Sequence, residues 1–321
     1  MFTPQSHGAI QRIGFLLLPK FSLLAFASAI EPLRVANLMA GRTLYEWRLL
    51  SEDGEPVSAV NGMASVVDHS LDDAPALPAI VVTASYEHEP AISRRILSWL
   101  RRAAVFGARL GAIDTGSFAL ARAGLLDGYR ATTHWEELEA FAERFPRVEA
   151  RQDLFTVDRD RFTSAGGTAG LDMMLNLIRM QHGQDLATAV ADFFVYARIR
   201  DARDSQRMPL RARLATSNPH LIRAVEAMEA ALEETIPIPR VAKRAGISER
   251  ELERMFRRWL NTTPARYYRG LRLDRARGLL QQTDMPVLEV ATACGFNSAA
   301  HFARSYRQRF GRSPTDDRSL S

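Results

Sequence analysis

The sequence predicts an α/β domain built on a mostly parallel sheet, followed by an all-α domain carrying two helix-turn-helix units. Three observations carry this reading. Strand-like apolar runs alternate with helical patterns through the first two hundred residues, as parallel strands covered by helices on both faces require. Val241-Ala242-Lys243-Arg244-Ala245-Gly246-Ile247-Ser248 returns 49 positions later as Val290-Ala291-Thr292-Ala293-Cys294-Gly295-Phe296-Asn297. Charge divides along the same line. Residues 240–312 hold 16 Lys+Arg against 6 Asp+Glu, a balance of +10, while residues 1–217 hold 24 against 25, a balance of −1.

Arg12–Leu18 reads as a buried strand, and Ser22 to about Ala40 as an amphipathic helix. Strands are expected at Tyr45–Ser51, Ser65–Asp68, Leu77–Thr83 and Arg109–Asp114. A single helix is expected from Pro90 to about Phe106, a short one at Thr115–Leu126 and another at Thr133–Phe145. Leu154–Val157 and Phe162–Ser164 form a hairpin before the helix Thr168–Gln181. Ligands of such sheets sit beyond the carboxyl ends of the strands. The segments to inspect are therefore Pro19-Lys20-Phe21, Ala84-Ser85-Tyr86 and Asp114-Thr115-Gly116.

Arg198–Ser217 is highly charged and lacks apolar periodicity, as an interdomain linker does. The expected layout is residues 1–197, a linker over 198–217, and residues 218–321, with helix-turn-helix units at about 238–260 and 286–310. The helix His220–Glu233 opens the second domain. Ser248 with Glu251 is a capping box that starts the second helix of the first unit. Asn297 or Ser298 caps its counterpart. Thr263-Pro264 launches a long connecting helix to Gln282, and Asn261 suits a left-handed terminus. Beyond the turn the repeat shifts by one: Leu252, Arg254 and Phe256 answer to Phe302, Arg304 and Tyr306, and Thr263-Pro264 to Ser313-Pro314.

The basicity belongs to the duplicated region, as phosphate neutralisation requires. Forty of the 42 basic residues are arginine, an excess shared with the neutral half. No apolar run is expected to reach transmembrane length and no secretory leader is evident, so a cytoplasmic protein without membrane contact is expected. The single cysteine, Cys294, excludes a disulfide framework within the chain and reads as a small buried packing residue. His7, His69, His88, His182 and His220 lack metal-ligand spacing. Gly166-Gly167 reads as a strand-to-helix turn. Neither cofactor nor metal is expected.

Gly111-Ala112-Ile113-Asp114-Thr115-Gly116-Ser117-Phe118-Ala119-Leu120-Ala121, then Ala123-Gly124-Leu125-Leu126-Asp127-Gly128 and Ala131-Thr132-Thr133-His134-Trp135, resembles the strand–elbow–helix segment of the ThiJ/PfpI family. Thr163 to Asp172 fits the same family. The resemblance implies a flavodoxin-like, class I glutamine amidotransferase-like fold. The duplicated unit resembles the AraC/XylS DNA-binding domain. The combination is similar to the AraC-type regulators that respond to glycine betaine, carnitine or arginine. It implies a ligand sensor joined to a reader of double-stranded DNA, with RNA polymerase as a candidate partner. A homodimer is expected because two sensor units would set two readers on repeated sites.

Family enzymes carry a cysteine at the elbow, where a helix N-terminus favours the thiolate. Here the elbow is Asp114, and Ala84-Ser85 replaces the family's Gly-Gly. Nucleophile and oxyanion loop are both missing, so the sensor is expected to be catalytically dead. The rival reading is an amidase or glyoxalase-like hydrolase with an accessory DNA-binding domain, using Asp114 as nucleophile and His134 as base. The resemblance places Glu31 as the carboxylate beside the elbow. Two carboxylates there would share a proton or need a cation, and aromatic faces attract ammonium and guanidinium groups. Asp114 capping the following helix is an equal and compatible reading. The expected ligand residues are Phe21, Glu31, Asp114, Thr115, His134 and Trp135, with Tyr86 as a further aromatic. The expected DNA contacts are Arg250, Glu253 and Arg254 in the first unit and Ala300, His301 and Arg304 in the second.

Overall fold

The computed structural model describes residues 10–86 and 88–318, so His7 lies outside the described residues. The chain divides into two compact units, one ending at Gln206 and the other beginning at Arg207.

The first unit runs β1 (Gln11–Leu17), α1 (Leu23–Ala40), β2 (Tyr45–Leu50), β3 (Val57–Ser58), β4 (Ala64–Ser65), β5 (Ala79–Thr83), α2 (His88–Ala91), α3 (Arg94–Val105) and β6 (Arg109–Ile113). It continues through α4 (Gly116–Arg122), β7 (Arg130–Ala131), α5 (Leu138–Arg144), β8 (Glu149–Ala150), β9 (Phe155–Asp158), β10 (Arg161–Ser164), α6 (Ala169–His182) and α7 (Gln184–Phe193). Six strands form one sheet in the order β2-β1-β5-β6-β10-β9, parallel except for the edge strand β9. Period-two alternation sorts the core into two layers. Phe15, Leu17, Val81 and Ile113 pack beneath α1, α6 and α7. Leu16, Leu18, Val82 and Ala112 pack against α3, α4 and α5. This is the helix-covered, mostly parallel sheet that the alternation predicts, in the flavodoxin-like arrangement that the resemblance implies.

Local chemistry sets the ends of these elements. The Ser22 hydroxyl accepts the Ala25 N–H at the start of α1, and Gly41 closes that helix at φ 62°. The single helix expected from Pro90 to Phe106 is instead two, because Ser93 caps a new helix by accepting the Ile96 N–H at 3.1 Å. The strand expected at Ser65–Asp68 shrinks to β4. Asp68 instead accepts the Leu49 N–H through its side chain and donates its own N–H to the Leu49 carbonyl. The helix expected from Thr133 begins only at Leu138, and α4 ends at Arg122.

Two further expectations are corrected. By length and composition α1 could cross a membrane, with a mean hydropathy of 1.3 over 18 residues. It carries Glu31 and Arg34, however, and buries Ala25, Ala29, Leu33 and Ala36 against the sheet. The linker expected over Arg198–Ser217 is not a free segment. Asp172, fully buried on α6, accepts from the Tyr196 hydroxyl, the Arg200 guanidinium and the Arg200 N–H, and so ties residues 196–200 to the first unit. Residues 198–206 belong to the first unit, and Leu214 lies in the core of the second.

The second unit holds α8 (Leu210–Arg213), α9 (Pro219–Glu229), α10 (Ile238–Ala245), α11 (Glu249–Leu260), α12 (Pro264–Gln282), α13 (Val287–Ala293), α14 (Ala299–Phe310) and α15 (Pro314–Arg318). Each helix-turn-helix has its own core. Val241, Ala242, Leu252 and Phe256 pack with Leu221 and Val225. Val290, Ala291, Cys294, Phe302 and Tyr306 form the other cluster. The connecting helix α12 serves both, contributing Tyr268 to the first and Ala276, Leu279 and Leu280 to the second.

Candidate ligand site and nucleic-acid interface

The strand β6 delivers Asp114 onto a sharp turn at φ 59°, a left-handed conformation rare for a residue with a Cβ. Three contacts hold it there. The Asp114 N–H donates to the Ser164 carbonyl at 3.1 Å, and the hydroxyls of Thr133 and Ser117 donate to the Asp114 carbonyl at 3.0 and 3.4 Å. Gly116 lets the turn close on the sheet, since a Cβ there would lie 2.2 Å from the Val82 carbonyl oxygen. Gly116→Ala is expected to destabilise the first unit by about 1–3 kcal/mol through backbone displacement. Urea unfolding would read this as a lower midpoint, and an unchanged midpoint would show that the turn has room to give.

The Asp114 carboxyl is buried. Burial pushes its pKa up to about 7, against hydrogen bonds from the Ser85 side chain and the Thr115 N–H, with Glu136 pushing in the same direction as burial. His134 closes on the same point: a Cβ on Gly166 would lie 2.7 Å from Asp114 Oδ2 and 2.9 Å from His134 Cδ2. Burial lowers the His134 pKa, opposed by Glu136, whose Oε2 lies 3.6 Å from Nδ1. The Tyr86 hydroxyl donates to the same Glu136 carboxylate at 3.2 Å, and the Trp135 ring stands 5.6 Å from that of His134. Thr83 and Ser164 flank Ile113 in register on β5 and β10. Both hydroxyls are buried without a hydrogen-bond partner among the described residues.

Of the expected ligand residues, Asp114, Thr115, His134 and Trp135 come together, although the Thr115 hydroxyl is committed to the Ser85 carbonyl at 2.6 Å. Phe21 does not line the site. It is fully buried, edge-on to Phe26 at 5.7 Å, and its backbone bridges to Ala59. Glu31 is not the carboxylate beside the elbow. It pairs with Arg34 at 2.7 Å, and both side chains are well exposed. The carboxylate whose charge bears on Asp114 is Glu136. It is Ser28 of α1 that reaches toward the elbow, donating to the Gly167 carbonyl at 3.0 Å. Ser85, Glu136 and Gly166 complete the site. A cavity of about 300 Å³ opens elsewhere, at the amino edge of the sheet, lined by Ile13, Leu33, Phe162, Met174 and others. The elbow, with its perturbed acid, its histidine and two orphan hydroxyls, fits ligand chemistry better.

In the second unit the two copies share their turns, their caps and the length of the second helix. Gly246 and Gly295 turn at φ 74° and 70°. Ser248 and Ser298 accept the N–H of the third residue onward, at 3.2 and 3.4 Å, and start 12-residue helices. The cap is therefore Ser298 rather than Asn297, which stands as an extra residue in the second turn and accounts for the one-residue shift. Those helices end left-handed at Asn261 and Gly311. The carboxyl end of each preceding helix is capped by basic groups. His220 and Arg223 reach the Ala245 carbonyl at 2.7 and 3.2 Å, while Arg272 and Arg275 donate to the Cys294 and Ala293 carbonyls at 2.7 and 2.8 Å. Arg250, Arg254, Ala300, His301 and Arg304 are exposed and Glu253 half-buried, all on the faces opposite Leu252/Phe256 and Phe302/Tyr306.

Residues 11–180 match the DJ-1/PfpI family, and residues 241–319 match a helix-turn-helix domain. The chain belongs to the AraC-type helix-turn-helix transcriptional regulators that carry an amino-terminal DJ-1/PfpI domain. It is 49% identical to the HTH-type transcriptional regulator GbdR of Pseudomonas aeruginosa, over 98% of this chain and 86% of that protein. An AraC family transcriptional regulator from Pseudomonas putida, known as a crystal structure, is 30% identical with a TM-score of 0.52, covering 57% of this chain and 99% of that one. The isonitrile hydratase of Pseudomonas putida is 31% identical over 58% of this chain and 78% of the enzyme.

Proposed function

We propose that this protein is a sequence-specific DNA-binding regulator controlled by a small cationic or zwitterionic metabolite of betaine, carnitine or arginine type. The metabolite is bound at the elbow by a catalytically dead amidotransferase-like unit. The observation that carries the reading is the buried Asp114 carboxyl, standing where the chemistry of the fold would need a nucleophile. A buried acid held near its midpoint at neutral pH gains from a cation, which favours its charged form. Trp135 and Tyr86 offer π faces, and the orphan hydroxyls of Thr83 and Ser164 can serve the ligand's polar end. The ligand set becomes Asp114, Thr115, His134 and Trp135 joined by Ser85 and Glu136. Arg250, Glu253, Arg254, Ala300, His301 and Arg304 contact DNA. A cytoplasmic homodimer places the readers on repeated sites, and RNA polymerase is its further partner.

The hydrolase reading keeps one specific support, the likeness of the first unit to an isonitrile hydratase. It needs Asp114 ionised as nucleophile with His134 as base. A thermal-shift series with glycine betaine, carnitine and arginine separates the two. At a hundredfold excess over Kd, a bound ligand stabilises by about 2.7 kcal/mol and raises Tm by several degrees. A rise with one of them that disappears in Asp114→Asn is the expected result. No rise with any, together with Asp114-dependent amide or isonitrile turnover, would establish the enzyme instead.

A further inference from the structure

Gln206 is the last residue of the first unit, and Arg207 opens the second. The Gln206 side chain is not solvated as a linker residue's would be. Its Nε2 donates toward three acceptors: Thr132 Oγ1 at 3.0 Å, the Thr133 carbonyl at 3.1 Å and the Asp153 carbonyl at 2.9 Å. The backbone beside it is anchored as well. Ser205 bridges to Asp153, and the Leu154 N–H donates to the Ala202 carbonyl at 2.7 Å. Thr133 is the shared member. Its hydroxyl donates to the Asp114 carbonyl, its own carbonyl accepts from Gln206, and His134 follows it in sequence. Two hydrogen bonds in series thus join the elbow to the residue whose peptide bond enters the second unit.

We propose that Gln206 is the positioning residue that couples occupancy of the elbow to the segment entering the DNA-binding unit. This rests on the reading of the elbow as the effector site. A ligand that draws on Asp114 and His134 acts on both sides of Thr133, and any shift of the Thr133 carbonyl is felt by the Gln206 amide. The Gln206 Oε1 is buried and has no donor among the described residues. An arrangement that supplies one would recover the cost of that orphan acceptor, which favours movement of the amide when the ligand binds. The ligand biases the equilibrium by binding one arrangement more tightly.

Gln206→Met keeps length and volume and removes the donor. Gln206→Glu keeps shape but sets a carboxylate against two carbonyls, so it is expected to be the more damaging variant. Full-length protein would be tested with glycine betaine, carnitine and arginine as probes, on an operator selected from random duplex. In wild type the active probe should change operator affinity within the usual allosteric range, about 5- to 150-fold. Gln206→Met should keep the probe's thermal shift and the probe-free operator affinity, while the probe's effect on the operator falls to about twofold or less. Retention of the full wild-type effect in Gln206→Met would overturn the coupling and leave the effector reading intact. If no probe shifts wild type, the effector reading fails and hydrogen exchange decides the coupling alone. Gln206→Met should speed exchange across Thr132–Trp135, and Thr133→Val should speed it across Arg207–Leu214, each about tenfold or more. Unchanged exchange in both variants would overturn it.

Discussion

Arg254→Ala is expected to abolish discrimination at one base pair of the operator, and Arg304→Ala at another about a helical turn away. Each loss should be about 1–3 kcal/mol, roughly 5- to 150-fold at the affected base. Both arginines stand six residues after a serine N-cap, in helices of equal length. That position lies on the early, outward face of a helix whose opposite face is fixed by Leu252 and Phe256 or by Phe302 and Tyr306. Arg254 pairs with its neighbour Glu251 at 3.2 Å, with the guanidinium largely exposed, so its removal opens no core. Stability should therefore stay within about half a kcal/mol of wild type, which isolates the DNA effect. Affinity for operators carrying single-base changes is the deciding measurement. Equal weakening on every sequence, with the salt slope reduced by about one, would assign these arginines to phosphates instead.

What was legible in the sequence is what is decided locally. Ser248 with Glu251, Thr263-Pro264 and Gly246 announce their turns and caps in single residues, and the repeat aligns the two cores. The linker was hidden because its charges look solvated in sequence, whereas Arg200 finds Asp172 from 28 positions away. Glu31 and Ser28 stand one helical turn apart on α1, a difference the sequence pattern does not resolve. Only the packed helix shows which of the two turns toward the Gly166-Gly167 loop. Phe21 follows a strand in the expected place, yet its side chain falls into the layer beneath α1. Glu136 has no sequence mark at all. Its influence on Asp114 exists only through the turn that precedes α5.

The elbow has the geometry of a nucleophile site but carries an acid in place of a cysteine. The strained turn, the close glycine and the helix behind it survive, yet the residue at φ 59° is an acid that burial holds near its midpoint at neutral pH.

Asp114→Asn is expected to stabilise the free protein at pH 8, to change nothing at pH 4, and to remove most of the effector response. An acid whose folded pKa stands at about 7, against 3.8 for the ordinary carboxyl, holds its proton more tightly in the fold. Between those values the unfolded chain carries fewer protons, so stability falls as pH rises and the loss is complete above about 7. Three pH units correspond to at most about 4 kcal/mol. Asparagine keeps the shape and has no proton to lose, so the variant should show none of this decline. His134 titrates in the opposite sense, because its lowered pKa costs stability as pH falls. Comparing the Asp114→Asn variant with wild type at each pH removes that contribution. The same proton controls binding. A cation pairing with the Asp114 carboxylate must expel it below pH 7, so affinity should fall about tenfold per unit there and level off above. Calorimetric titration of the effector from pH 5.5 to 8 reads this directly. A flat profile in wild type, with equal affinity in Asp114→Asn, would show that the effector does not rest on this carboxylate.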